Sequence, residues 1–268
     1  MRNKIYDCFM FNNEDLLLDI RLNILDSYVD HFVIVESRFM HSEKKKKNFF
    51  NIKHYNKFEK KIIYIFLEEI PNFIKSSFSF QAGKPLSSSV SWKYENYQRD
   101  QIIKGIAHAN PEDVILISDV DEIPNLSNVD LKKINHKILS FKQKFFYYKF
   151  NYLSVEYPSW FGTKLCRKKN LKSPQWLRSL KTFKRYPFYR LDKIFFSKTY
   201  EHNCNIIEDG GWHFSWIGDS KSIVDKIEST AHTELDKKEI KDIKNIEEHI
   251  SNKRSFVDES NFKKVDIK

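Results

Sequence analysis

The run Val114-Ile115-Leu116-Ile117-Ser118-Asp119-Val120-Asp121-Glu122-Ile123-Pro124 carries the most structural information in this chain. Its first five residues, mostly β-branched and apolar, predict a buried strand. Three carboxylates then crowd the strand's C-terminal end, and Pro124 stops it from continuing as a central strand. Carboxylates this close repel one another unless a cation sits among them. Oxygen ligands at a strand end suit Mg²⁺ or Mn²⁺, which in turn would hold a phosphate.

Upstream, strand and helix patterns alternate. Ile5 to Phe11 and His31 to Val35 predict strands, the second ending at Glu36-Ser37. Between them Asn12-Asn13 offers a cap, Glu14 and Asp15 suit the first turn, and Leu17, Ile20, Ile24 and Tyr28 recur at helical spacing. Ile62 to Leu67 predicts a third strand. Residues 71–91 are serine-rich and aperiodic, as expected of a long loop acting as a lid, and Trp92 to His108 predicts a helix. The order β-α-β-β-α-β implies an α/β fold with a Rossmann-like, mainly parallel sheet and ligands at the strand C-termini.

Downstream, residues 141–200 are dense in Phe, Tyr and Trp, which suits sugar stacking as well as core filling. The motif Gly210-Gly211-Trp212-His213-Phe214-Ser215-Trp216 follows, and residues 220–250 predict a C-terminal helical segment marked by Ile223, Ile227, Ile240, Ile243 and Ile246. Neither a repeat nor a linker interrupts the pattern. The expectation is one domain over residues 1–268, with a nucleotide-binding half at about 1–125 and an aromatic-rich acceptor-side half at about 126–268.

Composition narrows the class. At 268 residues and 41% hydrophobic, the chain can bury a substantial core. It has no apolar run of the roughly 20 residues needed to span a bilayer, and no signal-peptide pattern at its start. The cysteines Cys8, Cys166 and Cys204 lack zinc-type spacing, so a reduced, cytoplasmic protein is expected, with peripheral contact at the inner face of a membrane as an option. A net charge of +10 favours anionic partners such as nucleotides, membrane surfaces or acidic glycans. The densest run, Lys44 to Lys47, reads as a solvated loop, and no nucleic-acid signature accompanies the charge.

Six segments, in order, resemble glycosyltransferase family 17: YDCFMFNNEDLLLDIRLNIL, VDHFVIVES, WKYENYQRD, ISDVDEIP, GGWHFSW and KIESTAHTE, together reaching from Tyr6 to Glu234. The resemblance implies a GT-A fold and inverting transfer from a nucleotide sugar, UDP-GlcNAc foremost, to a glycan or lipid-linked glycan. It also implies that Asp119 and Asp121 form a metal-binding DxD motif with Mn²⁺ or Mg²⁺. Met40-His41-Ser42-Glu43 departs from the family's usual Thr-His-Ser-Gly.

Such a transfer must stabilise a departing diphosphate and deprotonate an acceptor hydroxyl. Asp121 is the expected direct metal ligand, with Asp119 acting through water or on the ribose. His213 is the expected third ligand, and His232 its reserve. Nucleotide-sugar contacts are expected from Asn12, Glu14, Arg21, Glu36, Ser37, Arg99, Gly211 and Trp212. Arg21 is also placed to pair with Glu14 or Asp19, and Arg99 to brace Asp119. Asp209, Glu122 and Glu234 stand as alternative catalytic bases. Two other readings compete. A haloacid-dehalogenase-like phosphohydrolase also begins from strand to Asp-x-Asp, but it wants Thr or Val where Ile123 stands. A glycan-binding module without catalysis would bind sugar without metal.

Overall fold

The computed structural model describes residues 2–40, 45–46, 49–74, 88–127, 129–131, 133–182, 203–229 and 235–266, with scattered positions from 187 to 201. Most of the expected 71–91 loop, His41 and Ser42, and both His232 and Glu234 lie outside the described residues.

The first strands fall where the apolar runs place them. β1 (Ile5–Met10) leads into α1 (Asp15–Leu25), then β2 (His31–Ser37), β3 (Ile62–Leu67), α2 (Ser88–Asp100), α3 (Ile102–Gly105) and β4 (Val114–Ile117). β1 pairs in parallel with β2 and β4, and β2 with β3. Both faces are covered, and strand alternation assigns side chains to them. Phe9 and Leu116 pack with Leu18 and Leu22 of α1. Cys8, Ile115 and Ile117 pack on the other face with Ile102. The helix expected at Trp92 to His108 starts earlier and breaks at Gln101, between α2 and α3.

After β4 the chain leaves this sheet. Residues 118–121 turn, and β5 (Glu122–Pro124) becomes the edge of a second sheet, the position where Pro124 is tolerated. β6 (Ile138–Phe141), β7 (Gln143–Tyr147), β8 (Tyr152–Ser154), β9 (Ser159–Trp160) and β10 (Lys164–Arg167) follow, then α4 (Pro174–Ser179), β11 (Cys204–Ile207) and β12 (Gly211–Ser215). The first sheet runs β11-β6-β10-β4-β1-β2-β3, and only β10 opposes the common direction. The second runs β13-β8-β7-β12-β5, where β13 is Phe262–Lys264 and β9 joins β7. The carboxylate turn is therefore the link between two sheets.

The C-terminal helical segment divides into α5 (Ser220–Ser229) and α6 (Ile243–Asn252). Ile223, Ile227 and Ile246 are buried against Tyr147, Trp216 and Phe256, whereas Ile243, at the first helical position after the Asp242 cap, is exposed. The three cysteines are buried and none forms a disulfide.

Candidate active site

Arg21 organises the carboxylate turn from behind. It is 0% exposed, and its guanidinium grips Asp7 through Nε (2.8 Å) and Nη2 (2.6 Å). Nη2 also donates to Ser118 Oγ at 2.6 Å, and Nη1 donates to the carbonyls of Asp119 and Glu122, both at 2.9 Å. Every guanidinium N–H is thus spent on shaping the turn. The expected donor contact is corrected: Arg21 has no surface to offer a ligand, and its acidic partner is Asp7 rather than Glu14 or Asp19.

Around this brace lies a cavity of about 1080 Å³, into which Asn12, Glu14, Ser37, Arg99, Asp119, Asp121, Glu122 and His213 all face. Asp119 is clamped by two guanidinium groups, Arg99 Nη2 on Oδ1 at 3.0 Å and Arg178 Nη2 on Oδ2 at 2.8 Å. Burial raises the Asp119 carboxyl, but Arg178 and Arg99 outweigh it and hold it well below the usual carboxylate range. Arg99 is itself held by Glu95 Oε1 and Gln175 Oε1, both at 2.6 Å, so it braces Asp119 as one of the two expectations had it.

Glu122 is corrected as a base. It is 1% exposed, and Oε1 accepts from Trp160 Nε1 (2.6 Å) and Arg178 Nη2 (2.8 Å) while Oε2 accepts from the Asp119 amide (2.9 Å). Three of its roughly four lone-pair sites are taken, and at this burial the remaining one has no open approach for an acceptor hydroxyl. Gly162 makes room for it, since a Cβ there would sit 2.2 Å from Glu122 Cδ. Asp209 is corrected too: it lies outside the cavity lining, exposed on the turn before β12 and paired with Lys144 at 3.2 Å.

Asp121 meets a nitrogen on each of its carboxylate oxygens. Oδ2 meets Lys226 Nζ of α5 at 3.1 Å, and Oδ1 meets His213 Nε2 at 3.8 Å. His213 is 8% exposed, stacked on Phe145 at 4.7 Å, and burial lowers its pKa, which leaves a neutral imidazole. Its Nδ1 is buried with no hydrogen-bond partner among the described residues. With the proton on Nδ1, Nε2 and Asp121 Oδ1 are two acceptors facing each other, an arrangement that a shared cation resolves. At 3.8 Å the two groups are near enough to be drawn onto one ion by a small side-chain movement. No cluster of three or more His, Cys, Asp or Glu side chains suited to a metal occurs among the described residues. Asp121 and His213 thus offer two ligands at most, and a divalent ion held there would need its other ligands from phosphate and water, as Mg²⁺ commonly takes them.

Alternation in β12 settles the remaining expectations. His213 and Ser215 face the cavity with Phe145 and Tyr147 of β7, while Trp212 packs on the far side with Leu17, Ile123 and Phe146. Trp212 and Gly211 do not line the cavity. At Gly211, where φ is +113°, a Cβ would fall 2.2 Å from the Ile123 carbonyl oxygen, so this glycine serves the approach of β12 to β5, not to a donor. Glu36 is likewise buried, accepting from the Phe50 amide (2.9 Å) and Tyr64 hydroxyl (2.6 Å) and paired with Lys46. Lys46 corrects the solvated-loop reading of Lys44 to Lys47, because it is buried and lines the cavity beside Ser37.

Glu14 is half-buried, with Oε2 accepting from the Asn12 amide at 2.8 Å. Burial pushes its carboxyl up to about 7, with Asp121 adding to the rise and Lys226 opposing it. A carboxyl that holds its proton more tightly when folded makes stability fall as pH rises from about 4.5 to about 7. Glu14→Gln removes that penalty, so its melting temperature should match wild type near pH 4.5 and exceed it by roughly 2–6 °C at pH 8. A constant difference across that range would refute the assignment.

Three lining residues escaped the sequence reading: Arg178, Lys226 and Trp160. Arg178 sits on the short α4, announced only by the Ser173 cap and Pro174. Lys226 opens the KIESTAHTE segment, and its place between Ile223 and Ile227 on an amphipathic helix was the available signal.

The site is a cavity of an α/β fold with a mainly parallel sheet, lined by Asp119, Asp121, Arg99, Arg178, Lys46 and Lys226. The chain belongs to glycosyltransferase family 17, whose sequence model matches residues 1–260. That membership decides against the phosphohydrolase reading. The chain is 27% identical over 139 residues to the β-1,4-mannosyl-glycoprotein 4-β-N-acetylglucosaminyltransferases of Rattus norvegicus and Homo sapiens. The matched stretch covers 49% of this chain and 23% and 24% of those relatives, about a quarter of their length. A solved glycosyltransferase involved in the glycosylation of the major capsid of PBCV-1 is 14% identical, with a TM-score of 0.33, covering 76% of this chain and 81% of that one.

Proposed function

We propose that this protein is a metal-dependent inverting glycosyltransferase that moves a sugar, GlcNAc from UDP-GlcNAc foremost, onto a glycan hydroxyl. The carrying observation is Asp121 held between His213 and Lys226 at the mouth of β4. A Mn²⁺ or Mg²⁺ ion held by Asp121 and His213 would supply Lewis-acid neutralisation of the diphosphate. The chain's own cations, Lys226 and the Arg99–Arg178 pair, line the same cavity, each paired with a carboxylate there, and would supply donors to the diphosphate as it displaces those partners. Asn12 and Glu14, which follow β1 and line the cavity, would contact the nucleoside, whereas the Ser37 hydroxyl is buried and engaged by Tyr94 and the Phe39 amide. We assign the reaction to surface-polysaccharide or lipid-linked glycan synthesis on the cytoplasmic side of a membrane. The basic net charge supports peripheral contact, and no helix among the described residues is long and apolar enough to cross a bilayer.

The direct test is donor hydrolysis and transfer with UDP-GlcNAc, UDP-Gal and UDP-Glc, with and without Mn²⁺. Saccharide binding without any donor turnover would instead support the non-catalytic glycan-binding module. For His213→Ala, calorimetry in the presence of UDP should show Mn²⁺ affinity reduced roughly 10- to 100-fold. Unchanged affinity would return His213 to the core.

A further inference from the structure

We infer that Trp160 and Tyr157 form the platform on which the acceptor's pyranose ring stacks. This rests on the glycosyl-transfer reading and adds the acceptor's half of the site. Tyr157 is 58% exposed and Trp160 37% exposed, and both line the cavity. Large aromatic faces left open beside a polar site suit a ligand with one apolar face and a hydroxylated rim.

Trp160 is held in a single orientation. Its Nε1 donates to Glu122 Oε1 at 2.6 Å, and its ring lies 4.9 Å from His213 and 5.8 Å from Phe145. Glu122 in turn accepts from the Asp119 amide, so one chain of hydrogen bonds ties the indole to the carboxylate turn. The approach to β9 is also anchored, by the Tyr157 amide donating to Ser154 Oγ at 3.1 Å. Preorganised aromatic surface of this kind binds at low entropic cost.

The topology separates this platform from the nucleotide. Trp160 and its neighbours belong to the second sheet, across the carboxylate turn from the ends of β1 and β2 in the first. A sugar stacked on Trp160 lies beside His213 and Asp121, where an acceptor hydroxyl must arrive. The ring that best matches an indole is a β-linked pyranoside with axial C–H bonds clustered on one face.

The test is a titration of intrinsic fluorescence, in the absence of nucleotide and metal. The probes are methyl β-D-glucopyranoside, methyl β-D-galactopyranoside and methyl α-D-mannopyranoside. We expect a saturable change with at least one β-glycoside that Trp160→Phe largely removes. Trp212→Phe, on the far face of β12, should preserve it. Tyr157→Ala, at an exposed position, should weaken the apparent affinity roughly fivefold to tenfold without unfolding the protein. Persistence of the full signal in Trp160→Phe overturns the inference. So does a signal that appears only with a UDP-sugar, which would give the platform to the donor's sugar instead. Because no donor is present, glycoside binding by an inactive enzyme would refute the catalytic reading while leaving the platform standing.

Discussion

Asp121→Ala is expected to lower metal-dependent sugar transfer by roughly a thousandfold. The side chain is the only described group that meets both His213 and Lys226, at 3.8 and 3.1 Å. Its loss removes one of the two proposed metal ligands and leaves Lys226 without its carboxylate. Burial would lower the Lys226 pKa, and Asp121, followed by Glu14, is what raises it instead. The fold should survive, because the turn is carried by the backbone: the Phe214 amide donates to the Asp121 carbonyl at 2.9 Å, and Arg21 holds the carbonyls on either side. Transfer and donor hydrolysis should fall together, with the circular-dichroism spectrum retained. Wild-type turnover in Asp121→Ala would remove the site assignment outright.

Arg21→Met should have the largest effect on stability. It leaves Asp7, fully buried in β1, without its partner, and it strips donors from the carbonyls of Asp119 and Glu122. Breaking a buried ion pair on one side costs about 3–5 kcal/mol, which in a protein of this size lowers the melting temperature by roughly 10 °C. Adding Asp7→Leu should recover part of that loss, since an apolar pair replaces the ionic one without leaving a charge unpaired. Transfer should nevertheless stay depressed in the double variant, because nothing then fixes the turn that presents Asp121. Recovery of stability and transfer together would show that Arg21 serves the core alone.

These two residues mark how far the sequence could be read. Asp121 was legible because its chemistry is local: an apolar run, a cluster of carboxylates and a proline follow one another between Val114 and Pro124. Arg21 was visible as a charged residue on an otherwise amphipathic helix. Its direction was not, since its hydrogen-bonding partners, from Asp7 to Glu122, lie 14 to 101 positions away. Glu122 failed as a base for the same reason. Its saturation depends on Trp160 and Arg178, which come from separate elements later in the chain.

By itself the sequence determined the strands of the first half, the parallel sheet they imply and the carboxylate turn that follows β4. Periodicity and strand-end carboxylates act over a few residues and need no knowledge of the fold. Tertiary structure alone decided that the turn joins two sheets, that Trp212 faces away while His213 faces in, and that Arg178 and Lys226 complete the charge. Each of those outcomes depends on which distant elements pack together, and a one-residue change of register in β12 would exchange the faces of Trp212 and His213.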